Sequence, residues 1–389
     1  MKRKAFIIFT FLGILTCLSV EGFNNRNELT IKGNLRVLSL EGTPYERGFK
    51  HGRALKTEIQ ELVKLWKASL EKSTQSDPDI FIKKFLHKTR FQKAIKRWTP
   101  ELWDEIKGIA EGSGIDLDTI YAFQLVDEMW VLDREILSEH CTTVGTIKTK
   151  EAPAIVAQNL DIPIFYHGFQ TLFRIKDPDR DMDTLLFTFP GFIAANGINS
   201  RSVAVVVNAV QQLEHSRDGL PVAFVIRGIL QRKTFDDAVE FIKSIKHGAP
   251  QNYMIGGPEK VGSYECSTTN AIEFLPFKGS KFTYHTNHPL KNRNYTPPFL
   301  QFLDRKNVSP EEYEFSCPRF QALQGILRDN SSRLDVDVIK DILSNRQAGI
   351  NNRSTFGCTV MVLGSNPELL ISPGRPDIEP FQVFRFKDE

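Results

Sequence analysis

Hydrophobic and polar positions divide the chain into two unlike parts. Residues 36–40, "RVLSL", alternate as a strand does. After Gly42-Thr43-Pro44, which reads as a turn, apolar residues recur at helical spacing from Leu55 to Leu70, the stripe of an amphipathic helix. A further helix is predicted at "TPELWDEIKGIAEG", with Thr99 as its cap, Pro100 in its first turn and Gly112 as its stop. Another starts at "DLDTIYAFQLVDEMW", so residues 45–137 read as mostly helical. From Cys141 onward the pattern changes to short β-like runs, among them "TTVGTIKT", "PAIVAQNLD", "DTLLFTFPG", "SVAVVVNAV" and "KFTYHTNH", separated by Gly, Asn and Pro. One helical stretch, "PVAFVIRGILQRKTFDDAVEFIKSI", interrupts them, and a second lies at "SRLDVDVIKDILSN". The runs "TVMVLG", "ELLISPG" and "FQVFRF" supply the last strands. Helices first, then hairpin-rich strands with inserted helices, predict an α+β fold with antiparallel sheets. No internal repeat or low-complexity linker interrupts this pattern, so the change near residue 138 reads as a change of role within one fold.

The first segment stands apart. "MKRK" is cationic, "AFIIFTFLGILTCLSV" is apolar and of signal-peptide length, and Val20 and Gly22 offer small residues before Phe23. Residues 1–22 are expected to be a cleaved signal peptide, which makes the mature chain an exported protein without a stable membrane span. The destination is secretion, or a lysosome-like or periplasmic compartment, depending on the host. Such compartments permit disulfides. Yet the mature chain keeps only Cys141, Cys266, Cys317 and Cys358, too few for a disulfide framework. Sequons at Asn294, Asn307, Asn330 and Asn352 fit surface loops of a glycoprotein, with Pro297 and Pro310 weakening two of them. The 389 residues are 41% hydrophobic, ample for one large core. Fifty basic and 47 acidic residues leave a net charge of +3 and form no basic stripe, which argues against a nucleic-acid partner.

The segment "CTTVGTIKTKEAPAIVAQNLD" carries candidate chemistry. A cysteine at the start of a strand, preceded by a removable segment, can attack a carbonyl while its own α-amine, with a reference pKa of about 7.7–8.0, takes the thiol proton. Such a nucleophile needs a carboxylate or amide on the paired strand to orient it, and a donor for the oxyanion. A Lys-Glu-Ala-Pro turn returns a strand ending in Asn159 and Asp161, which fits. No cofactor and no metal are called for: two histidines in "HTNH" lack a third ligand nearby.

"GTPYERGFKHG", "GIDLDTIYAFQLVDEM", "CTTVGT" with "AQNLD", "GFIAANGINSRSVAVVVNAV", "YECS" and "YHTNHPL" occur in this order along the chain. Together they resemble the acyl-coenzyme A:isopenicillin N (aminopenicillanic acid) acyltransferase family of N-terminal-nucleophile (Ntn) hydrolases, relatives of the cholylglycine hydrolases and acid ceramidase. The resemblance runs over roughly residues 36–386. It implies a four-layer αββα sandwich, made as a precursor that cuts itself and cleaves N-acyl amides through a thioester. On that resemblance Cys141 is the nucleophile and His140–Cys141 the scissile bond, so residues 23–140 and 141–389 become the two chains of a heterodimer. Asp161 matches the acidic residue that holds the nucleophile and its amine. Asn287 matches the oxyanion asparagine, and Asn208 is a weaker catalytic candidate. The small substrate is an N-acyl amide or acyl donor. Three departures are evident: His140 precedes the nucleophile where the family often has Gly, Gln124-Leu125-Val126-Asp127-Glu128 stands where the family has Asn-x-Arg-x-Glu, and Gln158 stands where cholylglycine hydrolases carry Arg.

Blander readings compete. Cys141 alone would be a core thiol, and Asn159 a strand-end turn residue. Cys141 with His285 or His288 imitates a papain-like pair, and a non-catalytic secreted glycoprotein retaining the fold is the remaining alternative. The glycines of "GTPYERGFKHG" read as close-packing positions rather than a phosphate loop. Glu46 and Arg47 read as a surface pair, and Trp66, Trp98, Trp103 and Trp130 as core.

Overall fold

The structure, a computed structural model, describes residues 29–132 and 141–387. Residues 1–22, expected to be a signal peptide, and His140 lie outside these residues. The chain opens with the hairpin β1 (Leu29–Lys32) and β2 (Leu35–Leu40). The helices α1 (Pro44–Ala54), α2 (Lys56–Thr74), α3 (Pro78–Lys88), α4 (Phe91–Trp98), α5 (Pro100–Ser113), α6 (Leu117–Phe123) and α7 (Val126–Leu132) follow.

Helix formation begins earlier than the apolar stripe announces. Gly-Thr-Pro is a helix start: Thr43 accepts the Glu46 N–H at 3.3 Å and Glu46 accepts the Thr43 N–H at 2.8 Å, a reciprocal cap with Pro44 in the first turn. Glu46 is therefore a capping residue. Arg47, expected at the surface, is buried, 3.9 Å from Glu105. Gly48 and Gly52 face α5 so closely that a Cβ at Gly48 would land on the Glu105 carbonyl oxygen. Gly108 and Gly112 return the same close approach from α5, so Gly112 packs inside the helix and the chain leaves it at Gly114, φ +72°.

After Cys141 come β3 (Thr142–Thr146), β4 (Ala154–Asp161), β5 (Thr171–Ile175), β6 (Thr184–Thr188), β7 (Asn196–Asn199) and β8 (Ala204–Ala209). The helical stretch beyond them divides into α8 (Val222–Leu230) and α9 (Phe235–Ser244), because Thr234 caps a new helix by accepting the Asp237 N–H. Four strands continue: β9 (Gln251–Gly256), β10 (Val261–Cys266), β11 (Ala271–Phe274) and β12 (Phe282–His285). The helices α10 (Pro297–Lys306), α11 (Pro310–Phe315) and α12 (Pro318–Asp329), none anticipated from periodicity, precede α13 (Val336–Leu343). The chain ends on β13 (Thr355–Leu363), β14 (Glu368–Ser372) and β15 (Gln382–Arg385).

The strands form two sheets, ordered β1-β2-β5-β6-β7-β8-β9-β10-β11 and β12-β3-β4-β13-β14-β15. Every pairing is antiparallel except β2 with β5, which run parallel. The faces of β3 and β4 meet β8 and β9. Helices α1, α8 and α9 cover the outside of the larger sheet, and α12 and α13 cover the smaller. This is the expected αββα sandwich. All eight residues of β4 are buried because both of its faces are covered. Ile155 and Ala157 join Phe320, Leu323 and Ile339 of the helix side, while Val156 and Leu160 join the core between the sheets. Gly145 lies within β3, where a Cβ would strike Val261 and Met254 of the facing sheet. Asn159 is not the turn residue expected. It is buried on the helix side, donating at 2.8 Å to the carbonyls of Leu343 and Ile350.

Candidate active site

Cys141 sits at the head of β3, a central strand flanked by β12 and β4. Antiparallel register sets Thr142 opposite Asn159, which carries Cys141 to the end of β4. Its Sγ lies 3.8 Å from the Asp161 carbonyl oxygen. Two side chains grip the Cys141 carbonyl: Asn208 Nδ2 donates at 3.1 Å and Arg319 Nη1 at 2.6 Å. Asn208 belongs to the opposite sheet. Its Oδ1 accepts from Thr143 Oγ1 at 2.7 Å and from Asn252 Nδ2 at 3.2 Å, so the nucleophile strand is tied across the sandwich.

Asp161 is buried, and its two oxygens have separate donors. Thr355 Oγ1 donates to Oδ1 at 2.7 Å, and Asn352 Nδ2 to Oδ2 at 2.6 Å. A bulge between Thr355 and Gly357 in β13 permits this reach. Burial pushes the carboxyl up to about 7, and the bonds from Thr355 and Asn352 and the nearby Arg319 charge offset it only in part.

Asn287, beyond β12, lines the same pocket as Cys141 and Asp161. Its Nδ2 donates to the Ala209 carbonyl at 3.2 Å, and its Oδ1 accepts from Arg319 Nη2 at 3.1 Å. Arg319, in the first turn of α12, thus clamps Cys141, Thr142 and Asn287 together. Sequence reasoning did not single it out. Its available signal was the Cys317-Pro318 helix start just before it.

The pocket is narrow, with a cavity volume of about 60 Å³. Leu160, Tyr166, Phe189, Phe192, Val207 and Ile226 give it mostly apolar walls, and Trp130, expected only as core, is also at its surface. The loop after β6 that carries Phe189 and Phe192 is fixed from two sides. His51 Nε2 accepts the Gly191 N–H at 2.9 Å, and Gln124 bonds Gly191 O and the Ile193 N–H. Burial holds His51 down to about 4, which keeps its ring neutral and able to accept.

Neither histidine of "HTNH" lines the pocket. His285 Nε2 lies 2.9 Å from Glu265, whose other bonds come from the Leu290, Lys291 and Asn292 amides. His288 Nδ1 lies 3.0 Å from Thr286 Oγ1, and burial drives its pKa to about 3. These placements leave the papain-like reading without a base.

No disulfide joins the four cysteines among the described residues. Of the sequon asparagines, Asn307 is exposed on a left-handed helix end, whereas Asn294 Nδ2 is bonded to Ser267 and Asn330 Nδ2 to the Ile326 carbonyl. Asn352 Nδ2 is the one turned onto Asp161.

The family described as "Acyl-coenzyme A:6-aminopenicillanic acid acyl-transferase" matches residues 148–358, more than half of the chain. The chain belongs to this acyltransferase family. The matched stretch contains Asp161, Asn208, Asn287, Arg319, Asn352 and Thr355, and begins seven residues after Cys141. A member from Emericella nidulans, the acyl-coenzyme A:6-aminopenicillanic-acid-acyltransferase 40 kDa form, is 26% identical over 268 residues, covering 66% of this chain and 70% of that protein. An uncharacterized protein of Archaeoglobus fulgidus is 21% identical over 384 residues, 86% of this chain, which spans 64% of that relative's length. Among solved structures, a mutant of the conjugated bile acid hydrolase from Clostridium perfringens overlaps 64% of this chain and 97% of its own, at 12% identity and a TM-score of 0.39. Where the acyltransferase family has its Asn-x-Arg-x-Glu helix, Val126 here lines the pocket and Glu128 accepts the first N–H of α8, from Val222, at 2.9 Å.

Proposed function

We propose that the chain is an exported, self-processing Ntn amidase or acyltransferase that cleaves an N-acyl amide through a thioester on Cys141. The observation that carries this reading is that Cys141, at the head of a central strand, shares one apolar pocket with Asp161 and Asn287. In processing, the thiol attacks the carbonyl of His140 and the peptide bond gives way to a thioester, which water then hydrolyses. This frees the Cys141 α-amine and leaves segments 23–140 and 141–389 as two chains. In turnover, Sγ attacks the substrate carbonyl and the α-amine takes the thiol proton. Asn287 donates to the oxyanion, and the leaving amine departs with the proton returned by the α-amine. The thioester then passes to water or to an amine acceptor, and in an exported, aqueous setting water is the simpler one. An α-ammonium forming beside Asp161 pulls that carboxyl back toward its ionised form, which orients the amine in turn. Arg319 positions the strand and the oxyanion asparagine.

Intact mass and N-terminal sequencing of the exported protein test the processing. Two chains are expected, the larger starting at Cys141, whereas Cys141→Ala should stay single. Incubation with an N-acyl amide and acid quench should add one acyl mass at Cys141, released by hydroxylamine. A fully active single chain, or cleavage at the same bond in Cys141→Ala, sinks the proposal.

A further inference from the structure

The mechanism above uses one polar corner of the pocket, built from the head of β3, the end of β4 and the segment after β12. A second polar corner is left over. Asp127, in the first turn of α7, lines the pocket and is partly exposed to it. Gln251, at the start of β9, lines it too and donates from Nε2 to Asp127 Oδ1 at 3.1 Å. Gln251 is 1% exposed, yet its Oε1 has no hydrogen-bond partner among the described residues. Glu128 stands behind Asp127, held by the Val222 N–H at 2.9 Å. A buried acceptor left without a donor is costly, so such an atom facing a cavity implies a donor that arrives with a ligand.

The corner presents acceptors: the Asp127 carboxylate and the Gln251 carbonyl oxygen, with the Glu128 carboxyl behind. Among the described residues that line the pocket there is no Lys, Arg or His to balance them. Burial, and for Glu128 the neighbouring Asp127, raise both carboxyls above their ordinary range, the signature of an acidic pair short of positive charge. An anion is repelled here, and a purely apolar tail leaves both acceptors dry. A neutral hydroxyl meets one acceptor without relieving the charge. An ammonium group supplies several N–H donors and the missing cation together.

We propose that this corner is a subsite for an ammonium group, so that the amide taken by the pocket bears a basic nitrogen on an otherwise apolar chain, with Asp127 as its counter-ion. This rests on the Cys141 site proposed above for its role in turnover, though not for its binding.

Isothermal titration of the mature protein with n-pentylammonium, 1-pentanol and pentanoate reads the subsite directly. Pentylammonium should bind about tenfold or more tighter than pentanol, with pentanoate weakest. In Asp127→Asn, which keeps the shape, that preference should shrink to within about twofold. Gln251→Leu, a second variant in case the first fails to fold, should reduce it several-fold. Bound pentylammonium should also slow alkylation of Cys141 by iodoacetamide, which places it in this pocket. Equal or tighter binding of pentanol, a preference retained in Asp127→Asn, or binding that leaves alkylation untouched overturns the subsite. A Cys141 that never alkylates counts against the catalytic reading instead, while the calorimetric ratio still decides the subsite.

Discussion

Asn352 carries a sequon, and its amide nitrogen is 2.6 Å from an oxygen of the buried Asp161 carboxyl. Both uses of that nitrogen compete, and two substitutions separate them. Ser354→Ala destroys the sequon but keeps the bond from the Ser354 N–H to Asn352 Oδ1, which holds the turn. Asn352→Ala removes the donor itself. A bond to a charged group contributes about 1.5–3 kcal/mol, so Asn352→Ala should lower kcat/KM on an N-acyl amide by roughly ten- to a hundredfold, with Ser354→Ala close to wild type. Equal losses in both variants would show that a glycan, not the carboxylate contact, matters. Cys141 and Asp161 could be singled out because strand, turn and returning strand are local patterns, whereas Asn287 was singled out only by the resemblance carried by "YHTNHPL". Arg319 and Asn352 were not. They reach Cys141 and Asp161 across 178 and 191 positions, and nothing in the sequence near either records that distance closing.

Among the elements, α1 and α5 set the tolerance of the helical layer. The glycines of "GTPYERGFKHG" were readable as close-packing positions, and the structure supplies their partner, a reciprocal pair on α5. Gly48→Ala places a methyl against the Glu105 backbone, which has no room to yield. The expected cost is about 1–3 kcal/mol or more, a fall of several degrees in Tm by calorimetry. Gly325→Ala in α12, where a Cβ meets nothing within 4 Å, should match or exceed wild type. An unchanged Tm in Gly48→Ala would mean that the two helices are packed more loosely than described. The helices α10 to α12 escaped the periodicity reading because they are short, 10, 6 and 12 residues, and each is opened by a proline that reads more readily as a turn.

For the whole molecule, buried titratable groups pull stability in opposite directions with pH. His51, His247 and His288 are held low by burial. The unfolded chain therefore takes up their protons first, and their contribution is lost as pH falls below about 6.5. Asp161, Asp127 and Glu128 are raised by burial. The folded protein holds these protons more tightly than the unfolded chain, so rising pH favours unfolding up to and through the folded values, about 7 for Asp161. Above about 6.5 only the carboxyls remain in play, and Tm should fall from there to about pH 8. Asp127→Asn should make that fall shallower, and a Tm that climbs over the same range would contradict the burial described. The division into a helical first part and a strand-rich second part was plain from the pattern of apolar residues, but not how the parts are joined. The parallel pairing of β2 with β5 is the strand-to-strand join, beside the bonds of His51, Gln124 and Glu128 to the second part. A cut before Cys141 would interrupt the backbone while leaving both sheets whole, so the two pieces would stay together as one particle until the entire sandwich unfolds. The same seam makes separate production of the 141–389 piece self-defeating. Without β2, the strand Thr171–Ile175 becomes a bare edge that invites aggregation. Any cut before Cys141 would therefore have to follow folding, and the leading segment would have to stay in place to cover that edge.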